Sequence, residues 1–95
     1  MAAYVIADIE VHDASAYDIY RQGVEATVTK FGGRFLVRGG NAEALEGTWC
    51  PTRLIVLEFP DNASLQAWYA SPDYKPLLAM RLRATTGRVI AADGV

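Results

Sequence analysis

Residues 3–11 alternate. Val5, Ala7, Ile9 and Val11 fall on one side, and Tyr4, Ile6, Asp8 and Glu10 on the other. A repeat of two marks a strand, because successive side chains leave opposite faces. The period then changes: Tyr17, Tyr20, Val24, Thr27, Val28 and Phe31 recur at three- and four-residue steps, the apolar stripe of a helix. Asp13 stands where its carboxylate can accept from first-turn amides. Gly32-Gly33 stops the helix, since glycine takes the left-handed conformation beyond a C-terminus without steric cost.

Arg34–Arg38 and Arg53–Phe59 read as the second and third strands. Between them the sequence predicts a turn at Gly39-Gly40-Asn41, a short ribbon over Ala42–Glu46 and a loop from Gly47 to Thr52. After Pro60, Asp61 or Asn62 caps a second helix carrying Leu65, Trp68 and Tyr69 on one face. Ser71-Pro72 breaks it and opens a further helical stretch, with Ser71 as cap and Pro72 at the first position. That stretch runs through Leu77, Leu78 and Leu82, with a kink at Pro76, and is expected to end at Gly87, leaving Arg88–Ala92 as the last strand.

The order β-α-β-β-α-β, with the second helix in two pieces, predicts a single α+β domain over residues 1–95 with a ferredoxin-like fold. Right-handed crossovers then give an antiparallel sheet of order 4-1-3-2 with the helices on one face. Yet both faces carry hydrocarbon: Val5, Ile9, Phe35, Val37, Ile55, Leu57 and Val89 on one, Ile6, Leu36, Leu54, Val56 and Ile90 on the other. An uncovered apolar face marks a partner surface. Hydrophobic residues make up 52% of the chain, more than a core this small hides. The expected assembly is a homodimer, sheet against sheet.

Nine basic and eleven acidic residues leave a net charge of −2. That balance gives no polybasic footprint, so neither nucleic acid nor an anionic membrane is an expected partner. The third strand also lacks the glycine-aromatic pattern of RNA-recognition domains. The apolar runs are far shorter than a membrane span, and Met1-Ala2-Ala3 leads straight into the first strand without a leader-like pattern. A cytoplasmic location is expected. The one cysteine, Cys50, excludes an internal disulfide and a thiolate metal cluster, and beside Pro51 it has neither a helix N-terminus nor a second thiol to activate it. The one histidine, His12, excludes catalytic His pairs and multi-histidine metal sites; it reads as an exposed turn residue, with proton transfer the lesser alternative. Neither G-x-G-x-x-G nor a phosphate loop occurs. No cofactor is expected.

Tyr4-Val5-Ile6-Ala7, Tyr17–Arg21, the run from Phe31 to Gly40, Leu45-Glu46-Gly47, Glu58-Phe59-Pro60 and the run from Ala67 to Tyr74 resemble domain-of-unknown-function family 1330, of the dimeric α+β barrel superfamily. The resemblance spans nearly the whole chain, and Phe31–Gly40 is its most specific part. It implies a homodimer in which two sheets face one another as a barrel. It implies no single activity: relatives by fold include monooxygenases acting on aromatic polyketides, muconolactone isomerases, haem-degrading enzymes and haem-dependent chlorite dismutases. The helices here lack the histidine expected as an axial ligand in the haem-binding relatives.

Two constellations can carry chemistry. Parity puts Asp8, Glu10, Arg34, Arg38, Glu58 and Arg88 on the face away from the helices, with Asp8, Glu10, Arg38 and Arg88 at one end and Arg34 and Glu58 at the other. They form either a polar ligand site at the barrel mouth, where arginine grips a carboxylate or enolate, or charge pairs at the rim of the dimer. Under the helices, Tyr17, Tyr20, Trp68, Tyr69 and Tyr74 gather, with Arg53 and Arg81 nearby. That density suits either a pocket for a flat, mostly apolar ligand or core packing with hydroxyls reaching water. Trp49 is either a lid or a residue buried against the partner subunit. The ligand-binding candidates are therefore Tyr20, Arg38, Trp49, Arg53, Glu58, Trp68 and Tyr74. The function expected is a cofactor-independent enzyme or binder for a small aromatic or carboxylated metabolite. A non-catalytic sensor and a structural dimerisation module are the alternatives.

Overall fold

The computed structural model describes residues 1–95 and opens with β1 (Ala3–Val11), whose Ala3, Val5, Ala7 and Ile9 are buried on the predicted face. Asp13 then caps α1 (Ala14–Lys30), its Oδ1 accepting from the Ala16 amide at 3.2 Å. Gly32, at φ 82°, closes that helix, and the Gly33 amide donates back to the Val28 carbonyl at 2.9 Å. The remaining elements are β2 (Arg34–Arg38), β3 (Leu54–Phe59), α2 (Asn62–Tyr69), α3 (Lys75–Ala84) and β4 (Thr85–Asp93). The sheet order is β2-β3-β1-β4, antiparallel throughout. This is the predicted 4-1-3-2 read from the other edge.

The core lies between the helices and one sheet face, where Val24 and Val28 of α1 and Leu65 and Trp68 of α2 cover Val5, Leu57 and Phe59. Trp68 packs on Phe59 at 5.4 Å between ring centroids, and its indole N–H donates to Thr27 Oγ1 at 3.0 Å, so the ring is buried without an orphaned donor. Asp61 caps α2 by accepting from the Ser64 amide at 2.7 Å. Ser71 ties α2 to α3: its hydroxyl donates to the Trp68 carbonyl and accepts from the Tyr74 amide. No helix is long and apolar enough to cross a membrane.

Five local expectations are corrected. Residues 42–46 form no ribbon, and β3 starts at Leu54 rather than Arg53. The helix proper begins at Lys75, so Pro76 rather than Pro72 holds a first-turn position, where its missing N–H costs nothing. Gly87 does not end α3; it lies inside β4 opposite Ile9. A Cβ there would stand 2.7 Å from the Asp8 carbonyl oxygen, so glycine allows the strands to approach.

The fifth correction matters most for the site. Arg34 and Phe35 pair with Glu58 and Leu57, but Val37 and Arg38 pair with Val56 and Ile55, so Leu36 is an extra residue in β2. One extra residue inverts the facing of everything after it. Val37 therefore joins the outer face, and Arg38 turns toward the helices instead of away from them.

Candidate functional site

Helices α1, α2 and α3 arch over the sheet and leave a cleft between them. It spans ≈ 540 Å³ of atom-free space, open solvent at its mouth included, and the centre of a water molecule can range over ≈ 40 Å³ within it. Val5, Ala7 and Ile9 of β1 form its floor, with Ile55 and Leu57 of β3. Thirteen of its sixteen lining residues are hydrophobic, the composition of a site for a small organic molecule.

Polar groups enter this cleft from two helices. Tyr17, Tyr20 and Val24 share the buried face of α1, as three- and four-residue spacing requires. Tyr74 caps α3, and Arg81 follows two turns later on the same face. The Tyr20 and Tyr74 hydroxyls lie 2.9 Å apart, their rings edge to face at 6.3 Å. Arg81 Nε points at the Tyr74 hydroxyl across a long 3.5 Å.

Burial first, then the neighbouring Tyr74 hydroxyl, pushes the Tyr20 phenol well above its usual value, with Arg81 acting in the opposite sense. Tyr20 is therefore a protonated phenol at any physiological pH. For Arg81, burial works against the charge, but Tyr74, Tyr20 and Tyr69 around it outweigh that and hold the guanidinium above its ordinary value. It remains a cation although only 7% exposed.

The structure brings together four of the seven predicted candidates. Tyr20, Trp68 and Tyr74 line the cleft, and so does Arg38, delivered there by the extra residue in β2. Arg38 donates to Glu25 Oε1 at 3.2 Å and to the Arg21 carbonyl at 3.1 Å, with its guanidinium 4.2 Å over Phe35. The expected grouping of Arg38 with Asp8, Glu10 and Arg88 is thereby overturned. Arg53 stacks on Tyr17 at 5.4 Å outside the cleft lining, and its buried Nε has no hydrogen-bond partner.

Trp49 and Glu58 lie elsewhere, on the outer face of the sheet. Asp8 accepts from the Trp49 indole at 3.0 Å and from the Thr52 amide at 2.9 Å, which pins the long loop across that face. Glu58 accepts from Arg34 Nε at 2.8 Å and from the Tyr4 hydroxyl at 3.2 Å. Arg34 lies at the same end of the face as Glu58, as the strand parity placed the two.

Of the three arginines lining the cleft, Arg21 and Arg81 were not among the candidates, although the sequence placed Arg81 near the aromatics. The signal for Arg81 was its spacing from Tyr74. It was masked by the leucines, because Leu82 looks like the buried residue of that turn and is 62% exposed.

The model of the family described as Domain of unknown function (DUF1330) matches residues 2–95. The chain belongs to that family. No curated protein matches the sequence. Among solved structures, a Rhodopseudomonas palustris protein of unknown function is similar with TM-score 0.79 at 17% identity, covering 99% of this chain and 82% of that one. A dimeric ferredoxin-like protein of unknown function from Jannaschia sp. CCS1 is similar with TM-score 0.66 at 16% identity, covering 99% and 100%. SnoaB, a cofactor-independent oxygenase from Streptomyces nogalater, is similar with TM-score 0.63 at 14% identity, covering 99% and 92%. At these identities the DUF1330 chain shares their fold, and its site must be argued from its own residues.

Proposed function

We propose that this DUF1330 protein is a homodimer in which each subunit binds a small, flat, mostly apolar molecule in the cleft under its helices. Any chemistry done there relies on the ligand and the protein's own groups rather than on a resident cofactor. The observation that carries this reading is the Tyr20–Tyr74 hydroxyl pair, set 2.9 Å apart in an otherwise apolar cleft. Desolvated phenols are hydrogen-bond donors to a ligand oxygen, and general acids where that oxygen gains charge. The likeness to a cofactor-independent oxygenase supports the same view of the chemistry, and the likeness to a dimeric ferredoxin-like protein supports the assembly.

A thermal-shift screen against aromatic acids, phenols and keto acids tests the reading, since any binder of the native state raises the melting temperature. Hits are expected to lose at least tenfold in affinity in Tyr74→Phe while that variant remains folded. Undiminished affinity in both Tyr20→Phe and Tyr74→Phe would move the site out of the cleft.

A further inference from the structure

We propose that the molecule held in this cleft carries a carboxylate, or an enolate oxygen of like charge, and that Arg81 is the residue that grips it. The inference rests on the cleft being a ligand site and adds the chemical class of the ligand.

The first ground is an unbalanced charge. Arg81 is 93% buried by its 7% exposure, and no Asp or Glu oxygen comes within 4.0 Å of its nitrogens. The other two arginines of the cleft are provided for: Arg38 bonds to Glu25, and Arg21 has Asp18 at 3.9 Å. A buried guanidinium without a counter-charge is costly. Hydrocarbon would pack at the same place on α3, beside Tyr74, without that cost.

The second ground is a count of donors. Guanidinium offers five N–H groups, and the hydrogen bond it makes from Nε, to Tyr74, is a long one. Two phenol hydrogens meet at the tyrosine pair, but a single O–H···O bond joins them. One phenol hydrogen is left without a protein acceptor whichever way the pair is oriented. The lining includes Arg21, Arg38 and Arg81 and not one Asp or Glu. The cleft thus offers cations and donors in excess and no carboxylate to answer them. The complement is a group that only accepts and is negative, and a carboxylate meets a guanidinium fork through two parallel bonds. The apolar walls take the rest of the ligand.

Calorimetric titration with benzoate and 2-naphthoate, each against its carboxamide, decides the matter at neutral pH. The acid and the amide share shape and ring, so their difference reads the charge alone. Wild type is expected to bind the acids at least tenfold tighter than the amides. Arg81→Met is expected to bind acid and amide alike, and to melt at or above the wild-type temperature because an unbalanced buried cation is gone. Equal binding of acid and amide by wild type would overturn the anion while leaving the cleft as a site. A preference unchanged in Arg81→Met would take Arg81 out of the role. Arg81→Met that unfolds or melts well below wild type would assign the arginine to architecture and overturn the proposal. No binding of any of the four probes would overturn the cleft reading and this inference together.

Discussion

Gly87 and Gly40 look alike in the sequence, each a glycine beside a strand, and the structure separates them. A Cβ at Gly87 meets the Asp8 carbonyl oxygen and Ile9 Cδ1 at 2.7 Å each, whereas one at Gly40 meets nothing within 4 Å. Backbone cannot step aside as a side-chain tip can. Gly87→Ala is expected to cost about 1–3 kcal/mol, as overpacking does, and Gly40→Ala less than about 0.5 kcal/mol. Urea denaturation of the two variants checks this; equal stability would mean that β1 and β4 are not held at this spacing. Asp8, next to that contact, carries a pH dependence. The Trp49 indole above all, then the Thr52 and Arg53 amides and the Arg88 charge, outweigh partial desolvation and hold its carboxyl below the ordinary 3.8. A depressed native pKa means that the contribution is complete above the unfolded value and lost as pH falls through the native one. Trp49 is 57% exposed and Trp68 2%, so acrylamide quenching reports mainly on Trp49. Quenching is expected to rise on acidification below 3.8, before the far-ultraviolet dichroism changes, and to be high and pH-independent in Asp8→Asn. Acid-insensitive quenching of the wild type would uncouple Trp49 from Asp8.

Strand β2 shows where pattern reading stops. Phe35, Leu36 and Val37 are all apolar, so either face suits each of them and no polar residue marks the extra one. Counting straight through sent Arg38 to the wrong side. A double-mutant cycle separates the two placements: Arg38→Met with Glu25→Gln should show coupling of about 0.3–1 kcal/mol, the range for a partly exposed pair. With Asp8→Asn the coupling should vanish, and the reverse pattern would restore the straight count. The last strand was expected over Arg88–Ala92 and only its start was placed late, because glycine reads as a helix stop while Thr85 and Thr86, both β-branched, belong to the strand. By contrast β1 alternates a true polar–apolar pattern, and both Asp caps precede clear helical stripes. Those elements were legible, and with them the sheet order. Of the cleft, the aromatic part could be read because Tyr20, Trp68 and Tyr74 fall on buried stripes. Its cation, Arg81, was placed near those aromatics but not among the ligand contacts, since a charged residue inside an apolar stripe is what that pattern teaches one to discount.

The chain's Cα trace measures 36 × 34 × 16 Å, a slab of one sheet and one helical layer. All the helices cover the face bearing Val5 and Leu57, so the face bearing Ile6, Leu36, Val56 and Ile90 has only solvent and the Trp49 loop over it; Leu36 is 46% exposed and Ile90 59%. In register, Ile6 stands between Val56 and Ile90, an apolar row across three strands. A second copy of the same row is the simplest cover for it. Ile90→Lys is the discriminating change, because a lysine at a position already open in the single chain costs the monomer little, yet cannot be buried against a partner. Light scattering at micromolar concentration should give a dimer for wild type and a folded monomer for Ile90→Lys, with Val56→Lys behaving likewise or unfolding. A monomeric wild type would end the idea. The cleft lies on the opposite side of the same strands and is lined by a single chain's residues. A folded Ile90→Lys monomer should therefore keep its affinity for the acids that wild type binds. Dimer loss and affinity loss occurring together would instead place part of the ligand site on the partner's side of the sheet.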